Sequence, residues 1–344
     1  MGRNLISACA LLVKLIKIHK NYKKGDEIMD NSLENKNEYI KFEKTSSFEL
    51  QCNSEKRIFD DLNYKLEYMK ENHPELNVIA IFLQGSQNYG LDDENSDINT
   101  KAFCIPSLTS LIEGRKMISR IYVLPDNSHI EVKDIRLLPE LLRKQNPSYL
   151  EILSTDYYLL SNEKSGQKFM NILGKYKKDI FKRNFRLVQS IKGTFYAEKE
   201  QIYKRRPGNE EMFDKYGCDV KSLSHMYRMV YLLGGIREGK NIDELFMISE
   251  NFKGKNFRKE LMDVKRGKNT ETALKFVDEA AHLMEVMYQD AKFAYENDNP
   301  NCATYPKFGD IDNSVFENLR KNVNDFVKQT IINNIKKNKE ESRC

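Results

Sequence analysis

The residues best suited to chemistry lie in one short stretch, Gln84 to Lys101, QGSQNYGLDDENSDINTK. Gly85 lets backbone amides approach a ligand with no Cβ in the way. Ser86 adds a hydroxyl, and successive exposed amides form a concavity suited to phosphate oxygens. Tyr89 and Gly90 complete the turn. Further on, Asp97 and Asn99 stand two apart in an alternating segment, so on a strand they share a face while Ile98 points into the core. Two carboxylates at that spacing, aimed at a phosphate-binding turn, would hold Mg²⁺ against a triphosphate. That ion takes oxygen ligands, typically one or two carboxylates plus phosphate oxygens. Here the second carboxylate is an amide. Asn99 offers one carbonyl oxygen, carries no charge and cannot act as a base. At an effective dielectric of about 20, one missing charge about 2 Å from a dication is worth several kcal/mol. Asp92, Asp93 and Glu94 lie in the same loop as substitute ligands. A third carboxylate should come from a neighbouring strand. In HIEVKDI, His129, Glu131 and Lys133 share the face opposite Ile130 and Val132, which makes Glu131 the candidate.

The elements that must position these residues are readable around them. SEKRIFDDLNYKLEYMKENHPE, from Ser54, is an amphipathic helix with Ile58, Leu62, Leu66 and Met69 at helical spacing, ended by Pro74. NVIAIFLQ is a buried strand leading into the turn, and DINTKAFCI is the next strand. ISRIYVLPDNSHIEVKDI is a hairpin around Pro125 to Ser128. LLPELLRKQNPSYLEILST is helical but broken at Asn146-Pro147. Helices are expected near 165–176, 181–203, 219–236, 270–297 and 314–337. The fold class is therefore α+β: a small mixed-sheet domain over 54–160, then an all-helical domain over 161–344, after an N-terminal extension over 1–53 that is polar and loosely ordered in its second half.

GSQNYGL…NSDIN resembles the Gly-Ser…Asp-x-Asp motif of the DNA polymerase β-like nucleotidyltransferases. The chain is most similar to the bacterial and phage nucleotidyltransferases associated with RNA repair ligases, which pair GSxxYGL…SDID with a downstream KxNPxxLEIL segment. Lys144, Asn146, Pro147, Leu150, Glu151, Ile152 and Leu153 match that second pattern. The likeness is good over 78–160 and weaker to 235. It implies a palm-like sheet, Mg²⁺ or Mn²⁺, and a nucleoside triphosphate substrate with a hydroxyl acceptor, RNA or another nucleic acid. Gly85 and Ser86 would hold phosphates, with Tyr89 and Gly90 of the same motif. Asp97 would bind metal, Glu131 would take the third-carboxylate position where Asp is usual, and Asn99 falls where the second catalytic Asp belongs. In this family the helical domain closes over the nucleotide. His225 and Arg228, three apart on one helix, are then candidates for phosphate contact, beside the plain reading of an internally bonded pair. The amide at Asn99 keeps a second reading open: a silenced module that binds a nucleotide or a nucleic acid without transferring.

The rest of the chain narrows the class. Net charge is +5, and residues 1–28 hold six basic residues against two acidic ones, which leaves the remainder near +1. A basic coat over the whole protein is excluded. Two local basic patches remain: KYKKDIFKRNFRL, interleaved with Tyr176, Phe181 and Phe185, and KRRPG from Lys204. Each reads either as a nucleic-acid contact or as a solvated helix face. Arg136 stands ready to orient the strand end. The six cysteines are scattered with no CxxC pair, which argues against zinc and disulfides and for a cytoplasmic protein. No apolar run reaches the roughly 18–20 residues that span a bilayer. ISACALLVKLIKIHK is broken by Lys14 and Lys17, so it reads poorly as a secretion signal or lipoprotein site and better as a basic amphipathic surface helix or, more plainly, an extension ahead of Met29.

Overall fold

The computed structural model describes residues 55–93, 96–246, 248, 257–297 and 308–341. The N-terminal extension and Glu94 lie outside the described residues.

Helix α1 (Glu55–Asn72) buries Ile58, Leu62, Leu66 and Met69 and ends ahead of Pro74. Strand β1 (Val78–Gln84) follows and is buried over six of its seven residues. A single-turn helix α2 (Ser86–Tyr89) leads through a loop to β2 (Asn99–Cys104). A short α3 (Leu108–Ile112) precedes the hairpin of β3 (Ser119–Val123) and β4 (His129–Asp134). Asp126 fixes the hairpin turn by accepting from the Ser128 amide at 3.0 Å and hydroxyl at 2.7 Å. Then come α4 (Leu138–Arg143), α5 (Pro147–Leu150), a 3₁₀ turn (Glu151–Leu153) and β5 (Tyr158–Leu160).

The five strands form one sheet in the order β3-β4-β2-β1-β5. Strands β2 and β4 are parallel and the other pairs antiparallel, so the sheet is mixed, as expected. Side-chain alternation sends Ile81, Leu83, Ala102, Cys104, Ile130 and Val132 to one face, where α1 covers them. Phe82 and Phe103 go to the other. There they meet Phe169 at 6.3 and 5.9 Å, and Phe169 stacks on Phe326 at 6.4 Å. Those last two rings come from α6 (Glu163–Ile180) and α14 (Asn313–Glu341). One apolar core thus passes from the sheet into the helical region.

Among the described residues, everything after β5 is helical or irregular: α6, α7 (Phe185–Ile202), α8 (Glu210–Tyr216), α9 (Val220–Arg237), α10 (Ile242–Phe246), α11 (Phe257–Lys265), α12 (Thr270–Lys275), α13 (Val277–Glu296) and α14. Helix α9 is buried on nearly every side and is the axis of this region. Four details differ from the sequence reading. β5, three residues long, is too short to show an alternation. α8 and α11 are short charged helices. The helix expected over 270–297 is two, divided at Phe276. The helix after Asn146-Pro147 is only one turn and then tightens.

Candidate active site

The turn after β1 is built on Gly85. Its φ of 94° and ψ of −148° belong to a region only glycine occupies without strain. A Cβ there would lie 3.5 Å from the Asn99 side-chain nitrogen, so the turn and the start of β2 are in contact. Gly90, at φ 67°, closes the one-turn helix. Ser86 is half-buried at the head of that helix, whose first turn has no capping side chain.

Beneath the turn lies Glu151, only 2% exposed. Its carboxylate accepts from the Gly85 amide at 2.7 Å, from Asn88 Nδ2 at 2.6 Å and from the Tyr89 hydroxyl. Burial pushes its pKa up, against Arg228 and these donors. The Arg228 guanidinium lies 3.2 Å over the centre of the Tyr89 ring. Tyr89 and Arg228, expected beside the nucleotide, are 5% exposed each and sit under the turn rather than on its open side. The reason is hydrophobic as well as electrostatic: the Tyr89 ring belongs to the apolar core, and only a buried cation can balance Glu151 there.

On β2 and the loop before it, Asp97 and Asn99 are exposed while Ile98 and Thr100 are buried, the alternation the sequence implies. The Asp97 side chain is 75% exposed, with Lys221 Nζ 3.7 Å away. Its backbone is held firmly. Gln87 Nε2 donates to the Asp97 carbonyl at 2.9 Å, and the buried Lys65 ammonium donates to the Ile98 carbonyl while pairing with Asp61 at 2.7 Å. Lys265 ties down the loop by donating to the Leu91 carbonyl at 2.6 Å and the Ser96 hydroxyl at 2.8 Å. Of the loop acids, Asp92 is fully buried, and Asp93 is half-buried and accepts from the Ser96 hydroxyl at 2.9 Å.

Glu131 occupies β4, the parallel neighbour of β2, in register with Lys101. It therefore reaches the face that carries Asn99. Its carboxylate is already engaged. Lys101 Nζ lies at 3.2 Å, Lys133 Nζ at 2.9 Å, and the Tyr149 hydroxyl donates at 3.1 Å. Burial alone would raise its pKa, but Lys101 and Lys133 outweigh burial and hold it below the ordinary carboxylate value. Lys101 is itself 2% exposed, donates to the Ser148 hydroxyl at 2.6 Å and sits 4.0 Å over the Tyr149 ring; burial lowers its pKa. This qualifies the expected ligand set: Asp97 and Asn99 are the open oxygen donors, and Glu131 is bound to cations of the protein. Among the described residues no three His, Cys, Asp or Glu side chains converge on one point.

The helical candidates disperse. His225 is 44% exposed and faces Glu198 at 3.6 Å, whereas Arg228 on the same helix is buried. In the basic-aromatic stretch, Tyr176 and Phe185 are buried in the core. In KRRPG, Lys204 pairs with Glu200 at 2.5 Å, Arg205 with Asp214 at 2.9 Å and Arg206 with Asp219 at 3.0 Å, so that turn is internally neutralised. Arg136 forks onto Asp134 at 2.9 and 2.6 Å and orients the strand end. Glu151, which the sequence reading places only in the LEIL segment, and Lys101 and Ser148 are the residues to which it gives no role in the site. A signal existed for Glu151: an acid inside the apolar run Leu150-Glu151-Ile152-Leu153 is a charge in the core and must have partners.

Comparison with known proteins bears on this arrangement. No curated protein matches the chain. Among solved structures, a nucleotidyltransferase-like protein from Exiguobacterium sibiricum aligns at 11% identity and a TM-score of 0.26, over 80% of this chain and 92% of that one. That overlay is too loose to carry a residue-level argument. The family match is of another kind, since it runs over residues 58–304 and takes in the turn, β2, β4 and the Glu151 segment. The chain belongs to the RNA repair pathway DNA polymerase beta family.

Proposed function

We propose that this protein is a nucleotidyltransferase that moves a nucleoside monophosphate from a nucleoside triphosphate to a hydroxyl acceptor, with RNA as the acceptor class. The observation that carries the reading is the contact between the Gly85 turn and Asn99, with the exposed Asp97 carboxylate two residues away on the same face. Ser86 would meet the phosphates, and Asp97 with the Asn99 carbonyl would be the oxygen ligands of one Mg²⁺ or Mn²⁺. One carboxylate and one amide oxygen beside a triphosphate suit such an ion, which takes most of its remaining ligands from phosphate and water. A bound cation supplies charge neutralisation on the phosphates. The chain's own contribution is position. Gly85 lets the backbone come close, Lys65 and Gln87 fix the backbone at Asp97 and Ile98, and Lys221 adds positive charge next to it. The acceptor hydroxyl would attack the α-phosphorus and give up its proton to solvent, and the bond to the bridging oxygen would break so that pyrophosphate departs.

A catalytic unit over 54–160 and a helical unit over 161–344 remain our organisational proposal, supported by the last strand among the described residues ending at Leu160. A cytoplasmic setting is inferred from the scattered cysteines. Among the described residues no helix is long and apolar enough to cross a membrane. A second reading, a module that binds nucleotide or nucleic acid without transferring, draws support from the neutral Asn99 and from the two lysines on Glu131.

The test is transfer of label from α-³²P nucleoside triphosphates, with Mg²⁺ or Mn²⁺, to mixed RNA and to protein, for this chain and for Asn99→Asp. Transfer by both is the expected result. Transfer by Asn99→Asp alone establishes the silenced module. Transfer by neither, with no nucleotide bound, removes the proposal.

A further inference from the structure

We propose that Glu151 is a positioning residue for the nucleotide turn, acting from beneath it through the Gly85 amide; this rests on the reading of the turn as the phosphate site. A carboxylate at 2% exposure is costly to bury, and a chain that needed only to fill space would place an apolar side chain there. What the charge secures is specific. Gly85 N–H donates to it at 2.7 Å, Asn88 Nδ2 at 2.6 Å, and the Tyr89 hydroxyl takes the other oxygen. Three of the five residues from Gly85 to Tyr89 are thus fastened to one anion, and the left-handed φ of Gly85 is held where it aims its amide inward. Arg228, 3.2 Å over the Tyr89 ring, supplies the countercharge from α9.

The same segment sets the polarity of the network. An amide side chain has one accepting and one donating end. Thr155 Oγ1 donates to Asn88 Oδ1 at 2.8 Å, which leaves Asn88 Nδ2 to give to Glu151 and to the Leu83 carbonyl at 3.0 Å. Because the Gly85 amide is occupied from below, Ser86 rather than the Gly85 amide is left to meet a phosphate. Glu151 touches neither substrate nor reacting atoms. Its loss should therefore loosen nucleotide binding more than it slows the bound nucleotide's reaction.

The variants are Glu151→Gln, Glu151→Asp and Thr155→Val in the full chain, the last leaving every charge in place. Three readouts are taken: affinity for a non-hydrolysable ATP analogue with Mg²⁺, KM against kcat for transfer, and hydrogen exchange of the peptide covering the turn. We expect Glu151→Gln to weaken nucleotide affinity at least tenfold and raise KM, with kcat within about threefold and with faster exchange at the turn but not in β1 or β2. Glu151→Asp, which keeps the charge, should recover part of the affinity. Thr155→Val should weaken affinity about threefold, and it decides the matter if Glu151→Gln does not fold. A folded Glu151→Gln or Thr155→Val with unchanged affinity and unchanged turn exchange overturns the proposal, and so does an equal fall in kcat and affinity with uniformly faster exchange. If the unaltered chain binds no nucleotide, the nucleotide reading falls, and the exchange at the turn still decides whether Glu151 orders it.

Discussion

Two carboxylates flank the Gly85 turn, and the protein treats them oppositely. Asp97 is 75% exposed, and among the described residues its one ion pair is the loose contact with Lys221 at 3.7 Å. Glu151 is 2% exposed, accepts from three groups and has Arg228 as countercharge. Among the described residues, the first side chain accepts no hydrogen bond. The second has both oxygens engaged by donors of the turn. On the proposed reading, the open carboxylate acts on a ligand and the closed one holds the backbone of the turn. The contrast predicts that removing each will fail in a different way.

Asp97→Ala should give the largest effect on chemistry. If Asp97 is the charged metal ligand, transfer should fall at least 1,000-fold, about 4 kcal/mol in the barrier. The thermal midpoint should stay within about 1 °C, because the lost side chain is exposed. A large fall in the midpoint would mean Asp97 is structural after all. Glu151→Ala should invert the pattern. It leaves the Gly85 amide, the Asn88 amide and the Tyr89 hydroxyl without their acceptor and Arg228 without its countercharge, so stability should fall by about 3–5 kcal/mol. The urea midpoint reads this directly, and a loss under about 1 kcal/mol would break the comparison. Ser86→Ala, between the two, should raise KM for the nucleotide about tenfold, the ~1.4 kcal/mol of one hydrogen bond to a charged oxygen, with stability unmoved. An unchanged KM would take Ser86 out of the phosphate site.

The sequence made one side of this comparison legible and hid the other. Gly85, Asp97, Asn99 and Glu131 could be singled out because strand alternation and a small-residue turn are local rules, and the parallel pairing of β2 with β4 sets Glu131 on the face that carries Asn99. What local rules do not carry is who neutralises whom. Lys101 was a strand residue of no special type until the fold set Glu131 beside it. Arg228 and His225 stand three apart on one helix, yet one is buried over Tyr89 and the other faces Glu198. KRRPG looked like a basic patch because its three acidic partners come from neighbouring helices and from the residue that caps α9. Periodicity placed α1, α6, α7, α9 and α14, the helices with long stripes. It missed α8 and α11, whose charged surfaces resemble loops, and β5, which exists because β1 offers it an edge.

The smallest expected effect concerns the two buried-side glutamates, Glu131 and Glu151, and it separates them by sign. Glu131 has its folded pKa held below the ordinary 4.5, since Lys101 and Lys133 outweigh burial. Its contribution is present above about pH 4.5 and is lost as pH falls through the folded value. Glu151 has its folded pKa raised by burial, so its charged form costs the native state, and protonation relieves that cost. Its contribution is therefore greatest at low pH and is lost as pH rises through the folded value. Thermal midpoints of the unaltered chain, Glu131→Gln and Glu151→Gln, measured from pH 7 down to pH 4, should diverge accordingly. The unaltered chain should lose ground against Glu131→Gln as pH falls, and gain ground against Glu151→Gln, each by about 1–3 °C. If both differences moved in the same direction, one of the two carboxylates would be in a different electrostatic setting from the one its partners imply. The division between a carboxylate whose charge the lysines favour and one whose charge burial opposes would then have to be redrawn.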